Sequence, residues 1–361
     1  MKKPIDLKNM VPTVKVVSAS CNMRCRYCYY RDRNQQTLFL MREDVLREVI
    51  RKTFEYSEND PVSFVWHGGE PLLAGLDFYQ TIVEIQKDVG DGRAIDNRIQ
   101  SNATLINKNY ARFFSENNFN VGVSIDGPEA IHDHCRVFAN DSGTLKAVLA
   151  GIKNLRDFGL KPGAVSLVNR MSIGKEKEFF NFMLSVGIER MLIKPCYEFE
   201  GNELADYSVN PKEYTEFMIK LLDIWLEENN PNVSIRNFEQ PMIGILGGKP
   251  SLCEFSGKCW LFPTVEVDGS LCACDNFPVD KYYYGNILYN GWEEAFESRS
   301  FKSFLDDIEK NRFFCKDCKW LDMCFGCCLQ YSFSKTSQGW NRNIFCDSKK
   351  EIFSTLERVL K

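Results

Sequence analysis

The sequence predicts an α/β fold in which strands and helices alternate through the first two-thirds of the chain and a cysteine-rich region follows. Three observations carry this expectation. Short β-branched runs alternate six times with amphipathic stretches between residues 13 and 229, and alternating βα units imply a parallel sheet. Three cysteines, Cys21, Cys25 and Cys28, follow the first of these runs. Nine of the fifteen cysteines then crowd into 253–328, with one more at 346. The composition therefore changes after the last βα unit, and the chain divides into a core domain over 1–232 and, over 233–361, a bridging segment with a second, cysteine-rich domain.

Taken in order, TVKVVSAS (13–20) reads as a buried strand rich in β-branched residues. Val45, Leu46, Val49, Ile50 and Phe54 recur at helical spacing over 42–56. The remaining strands are expected at 62–68, 97–102, 120–126, 163–169 and 190–195. The helices between and after them are expected near 76–88, 107–117, 143–158, 175–186 and 211–229. Six units are too few for a closed eight-stranded barrel. Residues 230–252, with NNPNV and GGKPS, read as a bridge.

Bulk properties exclude several classes. A net charge of −4 gives no electrostatic case for nucleic acid. No apolar run reaches the length of a membrane span. MKKPIDLKNMVP carries three lysines but no apolar stretch after them, so it does not read as a secretory signal. Without export, an odd number of closely spaced cysteines does not suit a disulfide framework. A reducing cytoplasm is expected.

CNMRCRYC places three thiols in a C-x3-C-x2-C run. Three thiolates hold three irons of a [4Fe–4S] cube and leave the fourth iron open. The rival readings are a partial zinc site, although structural zinc takes four ligands in paired spacings, and buried core thiols, although Arg24 and Arg26 lie within the run. The motif, with Tyr27 inside it and Tyr29 and Tyr30 after it, resembles that of the radical S-adenosylmethionine (SAM) enzymes. The resemblance implies an open, TIM-like partial (βα)6 barrel with its chemistry at the C-terminal strand ends. It also implies SAM on the open iron, cleaved to a 5′-deoxyadenosyl radical that abstracts a hydrogen atom from an unactivated carbon. Oxygen-labile clusters of this kind suit an anaerobic cell.

In the C-terminal third, Cys259, Gly269 and Cys274 fit C-x9-G-x4-C, and Cys315, Cys318, Cys324 and Cys328 fit C-x2-C-x5-C-x3-C, with Cys346 beyond. Alone, these spacings also suit a pair of zinc sites. Together they resemble the SPASM domain of radical SAM enzymes that modify peptides and proteins. That resemblance implies two auxiliary [4Fe–4S] clusters, three clusters in all. One would be held by Cys253, Cys259, Cys274 and Cys328, the other by Cys315, Cys318, Cys324 and Cys346. Cys272 and Cys327 neighbour these ligands, so an exchange by one or two positions stays open. Cys135 and Cys196 read as small core residues.

Three further motifs fall at successive strand ends. HGGEP (67–71) offers adjacent glycines that let backbone come close, and Glu70 offers a carboxylate for the SAM ammonium. Gly68, Gly69 and Glu70 match the GGE motif of the family. Ser101 and Asn102, then Ser124 and Asp126, occupy positions that in the family contact the SAM ribose or carboxylate or lie near them. Arg136 suits a partner for a SAM or substrate carboxylate, or a surface residue. His67 replaces the glutamine usual in sulfatase-maturing relatives and reads either as functional or as part of the pocket wall. Asp275 follows Cys274, where such relatives carry a general base; the alternative is a carboxylate that orients the cluster. Tyr30 is a candidate substrate contact.

The resulting expectation is an oxidoreductase that modifies a peptide or protein side chain, supplied with electrons by a flavodoxin or ferredoxin. The His67 replacement tips the substrate toward a ribosomal peptide precursor, cross-linked or otherwise oxidised. The alternative is anaerobic sulfatase maturation, in which an active-site Cys or Ser becomes formylglycine. Asp275 and the overall spacing favour it, and so does the short stretch before Cys21, which has no room for a leader-binding domain. Two other readings are a small-alcohol dehydrogenase and a non-catalytic iron–sulfur or zinc protein.

Overall fold

The computed structural model describes residues 7–30, 37–276, 282–334 and 339–361. Six strands run parallel in sequence order: β1 (Thr13–Lys15), β2 (Val62–His67), β3 (Ile95–Ser101), β4 (Asn120–Ser124), β5 (Gly163–Val168) and β6 (Arg190–Pro195). Their C-terminal ends therefore share one face. The connecting helices are α1 (Glu43–Tyr56), α2 (Leu76–Val89), α3 (Lys108–Glu116), α4 (Glu129–Cys135) and α5 (Leu145–Asp157) between β4 and β5, and α6 (Glu176–Ser185). After β6 come a small hairpin of β7 (Phe199–Glu200) and β8 (Glu203–Leu204), then α7 (Pro211–Glu228).

Each helix buries one apolar stripe. On α1 it is Val45, Leu46, Val49, Ile50 and Phe54, the residues whose spacing predicts the helix. Pro211 opens α7 beside an Asn210–Glu213 capping box, and Asn229 closes it in the left-handed region. Phe64 and Trp66 stack at 5.5 Å beneath α1 and α2, and the Trp66 indole donates to Asn97 at 2.9 Å, so no polar atom is stranded there.

The structure departs from the sequence reading in three places. The first strand ends at Lys15 rather than near residue 20, because Gly69 N–H donates to Ser18 O at 2.7 Å and Glu70 N–H to Ser20 O at 2.8 Å. Those bonds curl 16–20 over the end of β2 and hold Ser18 at a φ of +50°. The short helix α4 has no counterpart in the expected elements. The bridge at 230–252 holds β9 (Ser234–Ile235), which pairs parallel with β6, and α8 (Arg236–Ile245). Asn237 of α8 accepts from Ile193 N–H and donates to Ile193 O, both at 2.7 Å, pinning the helix to β6.

Beyond α9 (Cys253–Ser256), β10 (Thr264–Val265) joins the opposite edge, parallel to β1 with Thr13 opposite Thr264. Antiparallel β11 (Ser270–Cys272) and β12 (Tyr283–Asn286) extend the sheet outward. One open, barrel-like sheet of ten strands results, ordered β12-β11-β10-β1-β2-β3-β4-β5-β6-β9. Helices α10 (Trp292–Glu297), α11 (Arg299–Phe313) and α12 (Leu321–Cys324) follow, and α13 (Cys346–Leu360) packs on α7 and α8. Among the described residues no helix is long and apolar enough to cross a membrane.

Candidate active site at the strand ends

The loop after β1 carries Cys21, Cys25 and Cys28. Arg24 N–H donates to Val137 O at 2.8 Å and Arg26 N–H to Cys135 O at 2.9 Å, so the loop is stitched to the end of α4. Cys21 Sγ faces two donors, Met23 N–H at 3.3 Å and Asn102 Nδ2 at 3.8 Å. Burial pushes the Cys25 thiol up to about 12 and the Cys21 thiol higher still, and the neighbouring thiols add to both shifts. Thiols in this state ionise when a cationic centre stands among them, and donors aimed at sulfur are a feature of iron–sulfur sites. The triplet fits a cluster on both counts.

The GGE segment braces this loop from β2. A Cβ on Gly69 would stand 2.2 Å from Ser20 O and 2.6 Å from Ala19 O. The close approach that needs glycine is therefore to the chain's own backbone leading into Cys21. Glu70 is fully buried and accepts three bonds: Ser101 Oγ at 2.8 Å, Asn102 N–H at 2.7 Å and Leu72 N–H at 3.1 Å. Burial raises its carboxyl to about 7 despite these donors. Asn102 completes the brace through Asn22 at 2.9 Å. Ser124, at the end of β4, accepts from Gln100 Nε2 at 3.0 Å.

Asp126 and Arg136 form a buried pair below the cysteine loop. The guanidinium approaches both carboxylate oxygens at 3.0 Å, Tyr27 donates to Oδ2, and Leu167 N–H donates to Oδ1 at 2.9 Å. Arg136 lies 5.4 Å from the Tyr27 ring centre and is only 6% exposed. That burial excludes the surface role left open by the sequence. His132 Nδ1 accepts from Asp126 N–H at 3.2 Å, which leaves its Nε2–H to face Thr144 Oγ1 at 3.1 Å. Cys135 and Cys196 are fully buried beside Tyr27 and Tyr207.

Asp275 enters from the C-terminal region. The sheet extension β10–β11 carries the segment after Cys272 to the end of β1, where Lys15 is fully buried. Lys15 Nζ faces Tyr29 Oη at 3.0 Å, His67 Nδ1 at 3.3 Å and Asp275 Oδ2 at 3.3 Å. His67 Nδ1 also accepts from Gly68 N–H at 2.8 Å, so its lone pair is committed. Burial, and then Lys15, lower the His67 imidazole to about 3, which keeps it neutral. Burial alone would raise Asp275, but Lys15 and Lys194 outweigh it and hold the carboxyl well below the usual range. Tyr30 is buried, and its ring centre lies 5.4 Å from Lys15 Nζ. Sequence reasoning missed Lys15 and Lys194. The available signal was a lysine interrupting an otherwise apolar strand, TVKVV.

The remaining cysteines gather in two places. Burial pushes Cys253 up to about 11, and Cys259, Cys274 and Cys328 higher, and the last three are pushed further by others of the set. The four line one cavity, into which Lys194 also faces. Cys315, Cys318, Cys324 and Cys346 line a second, smaller one. Cys327 borders both, with Sγ 3.4 Å from Glu254 Oε2. Cys272 is buried on β11. Among the described residues, no three His, Cys, Asp or Glu side chains converge at single-ion distance. The two groups line the walls of two cavities.

The model of the radical SAM superfamily matches residues 16–178. The chain is 32% identical to a cysteine-type anaerobic sulfatase-maturating enzyme of Clostridium novyi, over 96% of this chain and 95% of that one. The chain belongs to this family of radical SAM enzymes. A serine-type anaerobic sulfatase-maturating enzyme of Bacteroides thetaiotaomicron is 31% identical over 92% of this chain and 85% of its own. The solved structure of native anSMEcpe with AdoMet and the peptide Cp18Cys bound superposes with a TM-score of 0.87 at 32% identity, covering 97% of this chain and 98% of that one. SuiB of Streptococcus suis, solved with its precursor peptide SuiA, shares the fold at a TM-score of 0.69 and 14% identity, covering 93% and 75%. As a family member the chain is a radical SAM oxidoreductase that oxidatively modifies its substrate, which sets aside the non-catalytic reading. These relationships also reverse the order of the two substrate readings. Sulfatase maturation is matched along nearly the whole chain, and the peptide-precursor maturase only in fold.

Proposed function

We propose that this chain matures a sulfatase by oxidising an active-site cysteine or serine to formylglycine. The observation that carries the reading is Asp275 at the barrel mouth, held there by Lys15 at 3.3 Å, in a chain matched end to end by sulfatase-maturating relatives. In this reading Cys21, Cys25 and Cys28 hold the cluster that binds SAM. Cys253, Cys259, Cys274 and Cys328 hold a second cluster, and Cys315, Cys318, Cys324 and Cys346 a third, all [4Fe–4S]. A flavodoxin or ferredoxin supplies the electrons.

The bound cofactors supply the radical that removes one hydrogen atom from the substrate side-chain carbon and the acceptor for one further electron. The chain's own residues do the rest. Asp275 takes the remaining proton, so that a hydrogen atom, a proton and an electron leave together as a two-electron oxidation; a serine becomes the aldehyde directly, and a cysteine becomes a thioaldehyde that water then hydrolyses to the aldehyde with release of hydrogen sulfide. Glu70, Ser101 and Asn102 fix the strand ends on which SAM rests, and Asp126 with Arg136 fixes the cysteine loop from below. Neutral His67 and the rings of Tyr29 and Tyr30 wall the site and limit water near the radical.

The reading is supported if the reconstituted protein, incubated without oxygen with SAM, reductant and a sulfatase-derived cysteine or serine peptide, yields the aldehyde by mass spectrometry. SAM cleavage with both peptides left intact, and a cross-link in a ribosomal precursor peptide instead, contradicts it.

A further inference from the structure

The buried ammonium of Lys15 takes no direct part in the proposed chemistry. It is fully enclosed at the end of β1, where its Nζ meets Tyr29 Oη, His67 Nδ1 and Asp275 Oδ2 and lies 5.4 Å from the Tyr30 ring centre. Lys15 lies opposite His67 in the β1–β2 register, so two of the partners come from the barrel itself. Only Asp275 comes from the C-terminal region. It is also the only carboxylate among the three. An enclosed ammonium is costly without a charged partner, so the cost of burying Lys15 is met by bringing the carboxylate to it. Asp275 still keeps 23% of its side chain exposed. Asn276 Nδ2 at 3.3 Å from Oδ1 and Tyr29 Oη at 3.4 Å from Oδ2 also donate to it.

We propose that Lys15 is a positioning residue for the oxidation step: it fixes the carboxylate of Asp275 over the barrel mouth so that substrate deprotonation keeps pace with hydrogen abstraction. The inference rests on the reading of Asp275 as proton acceptor. When the carboxylate is displaced, the substrate radical forms but its proton has no placed acceptor. The radical is then returned to starting material by one electron from the added reductant and one proton from solvent, and SAM is spent without product. Lys15 touches neither SAM nor substrate in this account, so its loss leaves peptide binding alone.

The test compares Lys15→Met, Lys15→Gln and Asp275→Asn with wild type, each checked for iron and sulfide content. Three quantities are read: KM for the cysteine peptide, the rate of 5′-deoxyadenosine formation, and aldehyde formed per 5′-deoxyadenosine. Loaded Lys15 variants are expected to keep KM and 5′-deoxyadenosine formation within about twofold, while aldehyde per 5′-deoxyadenosine falls by about 10- to 100-fold, the scale of a misplaced reacting group. An unchanged ratio in either loaded variant overturns the inference. A wild-type ratio in Asp275→Asn overturns the proton-acceptor reading instead, and that failure is distinguishable because it appears without touching Lys15. Loss of iron from both Lys15 variants also overturns the inference, since Lys15 would then serve the fold rather than the placement of Asp275.

Discussion

Lys15 Nζ and Asp275 Oδ2 stand 3.3 Å apart although 260 positions separate them in the chain. The contact is a consequence of sheet topology. β10 adds to the free edge of β1, β11 turns back beside it, and the residues after Cys272 arrive above the C-terminal end of β1. A buried ion pair of this kind adds little net stability, so its value lies in where it puts the carboxylate.

Replacing Gly69 tests the brace under the cysteine loop. In Gly69→Ala the new methyl meets Ser20 O at 2.2 Å and Ala19 O at 2.6 Å, so the 18–20 segment must move. Overpacking of this kind costs about 1–3 kcal/mol. Thermal unfolding of the variant and its iron content should both fall, with the loss of iron confined to one cluster's worth.

Glu70 ties β2 to the loop after β3 through three donors. Glu70→Gln puts an amide nitrogen against one of those donors, and one unsatisfied buried group costs about 1–3 kcal/mol. A lower melting temperature with weaker SAM binding by calorimetry is the expected result. Unchanged SAM affinity would show that the brace does not shape the SAM site.

Arg136→Met leaves Asp126 as an uncompensated carboxylate behind the cysteine loop. Breaking a buried pair by removing one partner costs about 3–5 kcal/mol. Denaturant unfolding should register that loss, and the double variant Arg136→Met with Asp126→Leu should recover part of it.

His67 gives a pH signature. Burial and Lys15 depress its imidazole to about 3, whereas the unfolded chain protonates it near pH 6.5. The unfolded state therefore binds the extra proton first as pH falls, and stability is lost below about pH 6.5. Between pH 7.5 and 5.5 this one group removes about 1 kcal/mol. His67→Gln should flatten that part of the stability–pH curve in chemical denaturation.

Cys327 and Cys328 are adjacent but face different surroundings. Both border the larger cavity, but Cys328 is pushed up by Cys253 there, while Cys327 Sγ stands 3.4 Å from Glu254. Cys327→Ala should keep the full iron content and Cys328→Ala should lose about one cluster, both by colorimetric iron assay.

Much of the core is legible in the sequence because helical and strand periodicities there are driven by one buried face, as on α1 and in the Phe64–Trp66 strand. The cysteine spacings are legible because cluster geometry constrains them locally. Contacts set by distant pairing are not. Lys15 reads as an irregularity in an apolar strand, since nothing near it in sequence shows that β10 will carry Asp275 to it. Arg136 reads as a partner for a SAM or substrate carboxylate, or as a surface residue, because its actual partner Asp126 is separated from it by α4, a seven-residue helix after Pro128 too short to announce itself. The first strand looks longer than it is because Val16 and Val17 remain buried after the backbone has curled away under Gly69.

The most direct test of the account uses a sulfatase-derived peptide whose reactive side-chain carbon carries deuterium. The account expects deuterium in the 5′-deoxyadenosine formed, with aldehyde in the peptide. Unlabelled 5′-deoxyadenosine accompanied by an unmodified peptide, from protein holding its full iron, would contradict it.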